Sequence, residues 1–160
     1  MSLWPRVDQP AIITPNHQGY LDGPALAFLT PKPMLFGVDP EFSTREPWRK
    51  ILLAIGRLTD CRMVPMAPGS RRGLREMLRY LQDGGWVCLF PEGGIATGKE
   101  YPGASWIAER SGAPIHPLEI RAIGVGKVKL PYKISGDLSR NFCNGSHAWN
   151  GCLRKRCVSR

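Results

Sequence analysis

The stretch Asn16-His17-Gln18-Gly19-Tyr20-Leu21-Asp22 sets an imidazole and a carboxylate five positions apart. Residues five apart lie on different faces of a helix and on opposite sides of a strand, so the two side chains meet only if the segment folds back as a loop. The flanking residues favour such a loop. Ala11 to Thr14 reads as a short apolar strand, Pro15 ends it, Gly19 supplies a turn, and Asp22 suits the N-cap of a helix with Pro24 in its first turn. A carboxylate that holds an imidazole in one tautomer makes a general base for near-neutral pH, able to take a proton from a hydroxyl. From spacing alone the plainer assignment, Asp22 as a helix cap and His17 as an ordinary loop residue, stays open.

A second cluster follows the apolar run Trp86 to Phe90, which reads as a strand buried on both faces and leads into Pro91-Glu92-Gly93-Gly94-Ile95-Ala96-Thr97-Gly98-Lys99-Glu100. A glycine-rich loop at the carboxyl end of a parallel strand is where open α/β sheets bind ligands. Gly93 to Lys99 begins like a P-loop, but Glu100 stands where a magnesium-binding Ser or Thr belongs, and Pro102-Gly103 prevents the immediate helix. Nucleotide binding is therefore not expected. Backbone amides and Lys99 remain able to cradle a single phosphate.

The elements that must position these two loops alternate. A helix is expected over Gly23 to Leu29, a strand over Met34 to Val38, and a helix over Pro47 to Ile55 with Trp48, Ile51, Leu52 and Ile55 on one face. That face suits the core, and its neighbours Arg49 and Lys50 also suit a lipid interface. A third strand falls within Leu58 to Met66. An amphipathic helix capped by Ser70 and stopped at Gly84 follows, with arginines on its solvated face. After the Trp86 strand come a helix over Gly103 to Ser111, a strand over Pro114 to Ile120, and a final strand within Lys127 to Ile134. This alternation predicts a single α/β domain with a largely parallel sheet flanked by helices.

The 160 residues allow one domain, here 1–137, and the net charge of +9 is concentrated toward the end, since 138–160 carry five basic and no acidic residues. That tail has no apolar periodicity and is expected to be disordered. Basicity alone attracts nucleic acid, anionic lipid or anionic substrates. No RNA-binding motif or zinc-finger spacing favours nucleic acid. Cys143, His147, Cys152 and Cys157 match no common metal-binding spacing, so no metal is expected. Cys61 and Cys88 sit in apolar runs and suggest reduced thiols in a cytosolic setting. No signal peptide and no membrane-spanning run is read, so any membrane contact is expected to be peripheral.

Asn16-His17 followed by Asp22, then Phe90-Pro91-Glu92-Gly93, then Ala113-Pro114-Ile115-His116-Pro117-Leu118-Glu119-Ile120, resembles in order and spacing the glycerolipid acyltransferase family, over roughly residues 11 to 121. Within it, Ile13 to His17, Phe90 to Gly98 and the Gly103 to Ala113 stretch look most similar to the acyltransferase domain of bifunctional 2-acylglycerophosphoethanolamine acyltransferase/acyl-acyl-carrier-protein synthetases. The resemblance implies transfer of an acyl chain from a thioester of coenzyme A or acyl carrier protein to a lysophospholipid hydroxyl, without a cofactor, at the inner face of a cytoplasmic membrane. It implies His17 as general base and Asp22 as its orienting partner. Asn16 is implied as a substrate-side residue, Glu92 and Gly93 as shaping an acceptor-phosphate site, and Pro117 as marking the fourth motif.

The second motif keeps Gly56 and Arg62 but has Thr59, Asp60 and Cys61 between them, and Gly94-Ile95 replaces the arginine that relatives carry. Arg62 and Lys99 are then the expected phosphate contacts. Catalytically inactive lipid binding, and less so nucleic-acid binding, are the alternatives in other functional classes.

Overall fold

A computed structural model describes residues 3–67, 71–95 and 99–136. The basic tail 138–160 with its four potential metal ligands, and Ser70 as a helix cap, lie outside the described residues. The elements are β1 (Ala11–Pro15), α1 (Asp22–Leu29), β2 (Met34–Val38), α2 (Pro40–Thr44), α3 (Trp48–Thr59), β3 (Arg62–Pro65), α4 (Arg71–Gln82), β4 (Trp86–Cys88), α5 (Gly103–Ser111), β5 (Ile115–Ile123) and β6 (Leu130–Ser135).

The strands form one six-stranded sheet in the order β3-β2-β4-β1-β5-β6. β1 through β5 pair in parallel, and only β6 runs antiparallel, against β5. The connection from β1 passes through α1 to β2 on one side, and that from β4 passes through α5 to β5 on the other. Right-handed crossovers in opposite directions put their helices on opposite faces. Two separate cores show this. One gathers Leu26 and Ala27 of α1 and Ile55 of α3 against Ala11, Ile13 and Phe36. The other gathers Met77 and Leu81 of α4 and Ala104 and Ile107 of α5 against Ile12, Leu35 and Val64. Because β1 and β4 are neighbours whose connections diverge, a crevice opens beyond their carboxyl ends. The two motif loops both start there.

Three local expectations change. α3 runs on to Thr59 instead of stopping at Ile55, and Asp60 in the left-handed region (φ 56°) ends it. Gly56 is therefore inside the helix, where it lets the turn approach the Cys61 carbonyl; a Cβ there would sit 3.0 Å from that oxygen. The Trp48 face divides: Ile55 is buried, Trp48 and Leu52 are half-buried, and Ile51 is exposed. Asp22 is the first helical residue rather than the N-cap; Leu21 holds that position with no side-chain cap. The Asp22 carboxylate is engaged elsewhere.

Candidate active site

β1 ends at Pro15, and Asn16 extends its pairing by one further step. The Asn16 amide N–H donates to Leu118 O at 3.2 Å, its side-chain Nδ2 donates to Ile120 O at 3.0 Å, and Ile120 N–H donates to its Oδ1 at 2.5 Å. A side-chain amide thus stands in for a strand peptide and fixes where the chain leaves the sheet. The loop after it folds around Asp22, which is fully buried. One oxygen, Oδ2, accepts from the Gln18 amide at 2.6 Å and the Gly19 amide at 2.8 Å, and lies 2.9 Å from His17 Nδ1. Oδ1 is buried with no hydrogen-bond partner.

Gly19 is essential to this fold-back for its size and not for an unusual backbone angle. It does not adopt positive φ. A Cβ on it would lie 2.8 Å from Lys127 O and 3.0 Å from Lys129 N, so the loop between β5 and β6 presses directly on the loop after β1. The Tyr20 amide donates to the same Lys127 carbonyl at 2.8 Å.

A carboxylate only accepts hydrogen bonds, so the His17–Asp22 contact places the ring proton on Nδ1 and leaves Nε2 as the basic nitrogen. Phe90, just beyond β4, packs its ring on the imidazole with centroids 4.4 Å apart. Glu92 grips the loop from the β4 side: its Oε1 accepts the backbone N–H of His17 at 3.1 Å. The His17 side chain keeps 18% of its surface exposed, toward a cavity of about 940 Å³. That volume is near the top of the range of about 300 to 1,000 Å³ common for small-molecule sites.

Phe36, Leu52, Ile55 and Met63 form an apolar wall of this cavity, and Arg45, Arg71 and Lys127 contribute cations to its lining. Tyr20, Phe42 and Trp48 pack together with centroids 4.6 to 5.3 Å apart and tie the His17 loop to α2 and α3. Gly93, Gly94 and Ile95 also line the cavity. Gly93 adopts φ 61°, and a Cβ there would meet the Tyr101 ring at 2.5 Å.

The sequence-derived residues divide accordingly. His17, Asp22, Glu92 and Gly93 come together, but Glu92 holds the backbone of His17 and is not among the cavity-lining residues. Asn16 and Pro117 belong to the β1–β5 seam, where Pro117 pairs with Thr14; neither lines the cavity. Lys99 is exposed and outside the lining, and 96–98 before it lie outside the described residues.

Arg62 does not reach the cavity. It opens β3 opposite Leu35, three residues and so about 10 Å short of the carboxyl rim, with its guanidinium 5.9 Å from the Tyr80 ring centroid on the α4 side. The cations that do line the cavity were not singled out from sequence. Arg45 and Arg71 carry no motif. Lys127 lies 110 positions from His17 and is placed by the β5–β6 pairing.

Three other reactive side chains are set aside by geometry. Cys88 and Cys61 are buried free thiols, and burial pushes the Cys88 thiol far above its ordinary range, which leaves it un-ionised and non-nucleophilic. His116 pairs beside Ile13 in the sheet, its pKa lowered by desolvation, and does not line the cavity.

A family model described as Acyltransferase matches residues 4–121. The chain belongs to the Acyltransferase family. The matched segment holds the His17 loop, the Glu92 loop and β5 up to Arg121, so the β5–β6 turn and β6 lie beyond it. Among solved structures the chain is similar in fold to the crystal structure of the 1-acyl-sn-glycerophosphate (LPA) acyltransferase, PlsC, from Thermotoga maritima. The TM-score is 0.55 at 20% sequence identity, covering 96% of this chain and 66% of that one. At that identity the likeness concerns the fold. This acyltransferase-family chain therefore shares the α/β architecture of PlsC while spanning about two thirds of its length.

Proposed function

We propose that the chain is an O-acyltransferase that moves a fatty acyl group from a thioester of coenzyme A or acyl carrier protein to a hydroxyl of a lysophospholipid. The observation that carries this is the His17 Nδ1 to Asp22 Oδ2 contact of 2.9 Å beside a cavity with an apolar wall. In the proposed reaction His17 Nε2 takes the proton of the acceptor hydroxyl as its oxygen attacks the thioester carbonyl carbon. The tetrahedral intermediate collapses by breaking the carbon–sulfur bond, and the imidazolium returns the proton to the departing thiolate. Asp22 holds the tautomer and stabilises the imidazolium. Neither a covalent enzyme intermediate nor a metal is required by these steps. The membrane association is peripheral, at the inner face of a cytoplasmic membrane. Among the described residues no helix is long and apolar enough to cross a bilayer.

Glu92 acts as a positioning residue through the His17 amide. Glu92→Ala should lower kcat by about 10²-fold, the scale of an ångström-level misplacement. Glu92→Gln keeps an oxygen acceptor for that amide and should recover most of the rate. Steady-state kinetics distinguishes this from a role in acceptor binding, which would appear in the acceptor KM and would not be rescued by glutamine.

The acceptor reading follows from the charges. Gly94 and Ile95 bring no charge to the cavity wall, and Lys127, whose ammonium lies 6.0 Å from the Tyr20 ring centroid, adjoins the His17 loop. Arg45, Arg71 and Lys127 face Asp39 and Glu41 in the same lining, and this small net positive charge suits a singly charged phosphodiester better than a doubly charged phosphate monoester. Lysophosphatidylethanolamine should therefore outcompete lysophosphatidate, in line with the 2-acylglycerophosphoethanolamine-type likeness. Lys127→Ala should raise the acceptor KM and leave that of the thioester unchanged. A clear preference for lysophosphatidate, or equal acylation of an acceptor with no phosphate, contradicts this assignment.

A further inference from the structure

The turn between β5 and β6 and the strands beside it carry large apolar side chains in water: Ile123, Val125, Val128, Leu130 and Tyr132 are exposed, Val125 at 94%. Ile123 pairs directly with Leu130 across the antiparallel ladder, so these side chains crowd one end of the hairpin. Residues 121 to 136 also carry Arg121, Lys127, Lys129 and Lys133 and no acidic residue. Gly124 (φ 131°) and Gly126 (φ 70°) bracket Val125 and let the turn present it outward.

Isolated exposed apolar residues are ordinary, whereas a contiguous group interleaved with cations marks an interaction surface. Its position decides the partner. Lys127 lines the cavity, its carbonyl accepts from the Tyr20 amide, and Gly19 leaves room for it, so the hairpin forms part of the rim through which the cavity opens.

We propose that the β5–β6 hairpin is a docking wedge for a bilayer containing anionic lipid. Val125 and Val128 enter the acyl boundary, the lysines meet headgroups, and the cavity rim is held at the lipid surface. This rests on the acyl-transfer reading above and adds where the lipid surface sits. The charge pattern favours a bilayer, because a partner protein or second copy offering an apolar face would leave Lys127, Lys129 and Lys133 unbalanced beside the contact, whereas Arg121 is paired with Glu119.

The test uses the full chain and its Val125→Asp/Val128→Asp variant, co-sedimented with vesicles of phosphatidylcholine alone or with phosphatidylglycerol. The wild type is expected to bind the phosphatidylglycerol vesicles, more weakly in high salt. The variant should lose about tenfold in partitioning for each valine replaced. Transfer to a short-chain lysophospholipid dissolved as monomers should be unchanged in the variant, because neither valine lines the cavity.

Equal vesicle binding by variant and wild type overturns the wedge. So does a wild-type dimer that the variant dissociates while vesicle binding stays the same. A chain that binds anionic vesicles through these valines but transfers no acyl group from any donor supports the wedge and contradicts the enzymatic reading, so the two failures are separable.

Discussion

Replacement of His17 by alanine is expected to slow acyl transfer by about 10²- to 10⁴-fold, the usual contribution of a general base. The chain should stay folded, its melting temperature lowered by roughly 2–4 °C, because the mostly buried ring gives up one hydrogen bond to Asp22, worth about 1 kcal/mol. The separation of the two effects follows from geometry. The His17 ring lies at the cavity, packed on Phe90, and its removal empties no part of either sheet core. Asp22 Oδ2 keeps the Gln18 and Gly19 amides, so the loop retains its two backbone anchors. Thermal melts beside initial-rate assays check both halves. Loss of activity accompanied by unfolding would mean that His17 supports the loop and would remove its special place in the chemistry.

Asp22→Asn should combine a smaller rate loss than His17→Ala with a larger stability loss. The amide has two orientations, and both are unfavourable. With its NH₂ at the Oδ2 position it faces two backbone N–H donors and the His17 Nδ1 proton. With its NH₂ at the Oδ1 position it offers these donors only a neutral oxygen and brings two N–H groups to a buried point where the native oxygen has no hydrogen-bond partner. A buried unsatisfied polar group costs about 1–3 kcal/mol. For a chain of this size that lowers Tm by roughly 2–12 °C. The rate falls because the imidazolium loses its counter-charge while the ring stays in place. Melting curves and kcat measured on both variants check the pattern. An Asp22→Asn variant as stable as wild type would show that the carboxylate charge does not organise this loop.

Much of this was legible in the sequence where signals are local. The helix expected over Gly103 to Ser111 has those bounds, ended by Gly112 at φ 70°. The apolar strands at Ala11 and Met34 fall where their residues place them, and of the two readings that spacing left open for His17 and Asp22 the structure has the fold-back. What was not legible is set by contacts distant in sequence. α2 is a five-residue element whose start depends on Asp39 accepting from the Glu41 amide, too short to show a period. The family resemblance implied Asn16 as a substrate-side residue, and its side chain bonds the backbone of Ile120, 104 positions away. Arg62 was assigned by motif position, whereas the β2–β3 register sets it back from the rim. Lys127 lies outside every motif and joins the site only because β6 turns back along β5.

The proposed role of His17, oriented by Asp22, is to accept the proton of a lipid hydroxyl during acyl transfer. It is tested most directly by mass-spectrometric analysis of products formed by the purified chain and its His17→Gln variant. Each would be given a fatty acyl thioester and lysophosphatidylethanolamine under identical conditions. Glutamine keeps hydrogen-bonding groups but cannot serve as a base, so a new diacyl phospholipid is expected from the wild type and at least about 10²-fold less from the variant. Equal product from both proteins, or product lost only in step with unfolding of the variant, would contradict it.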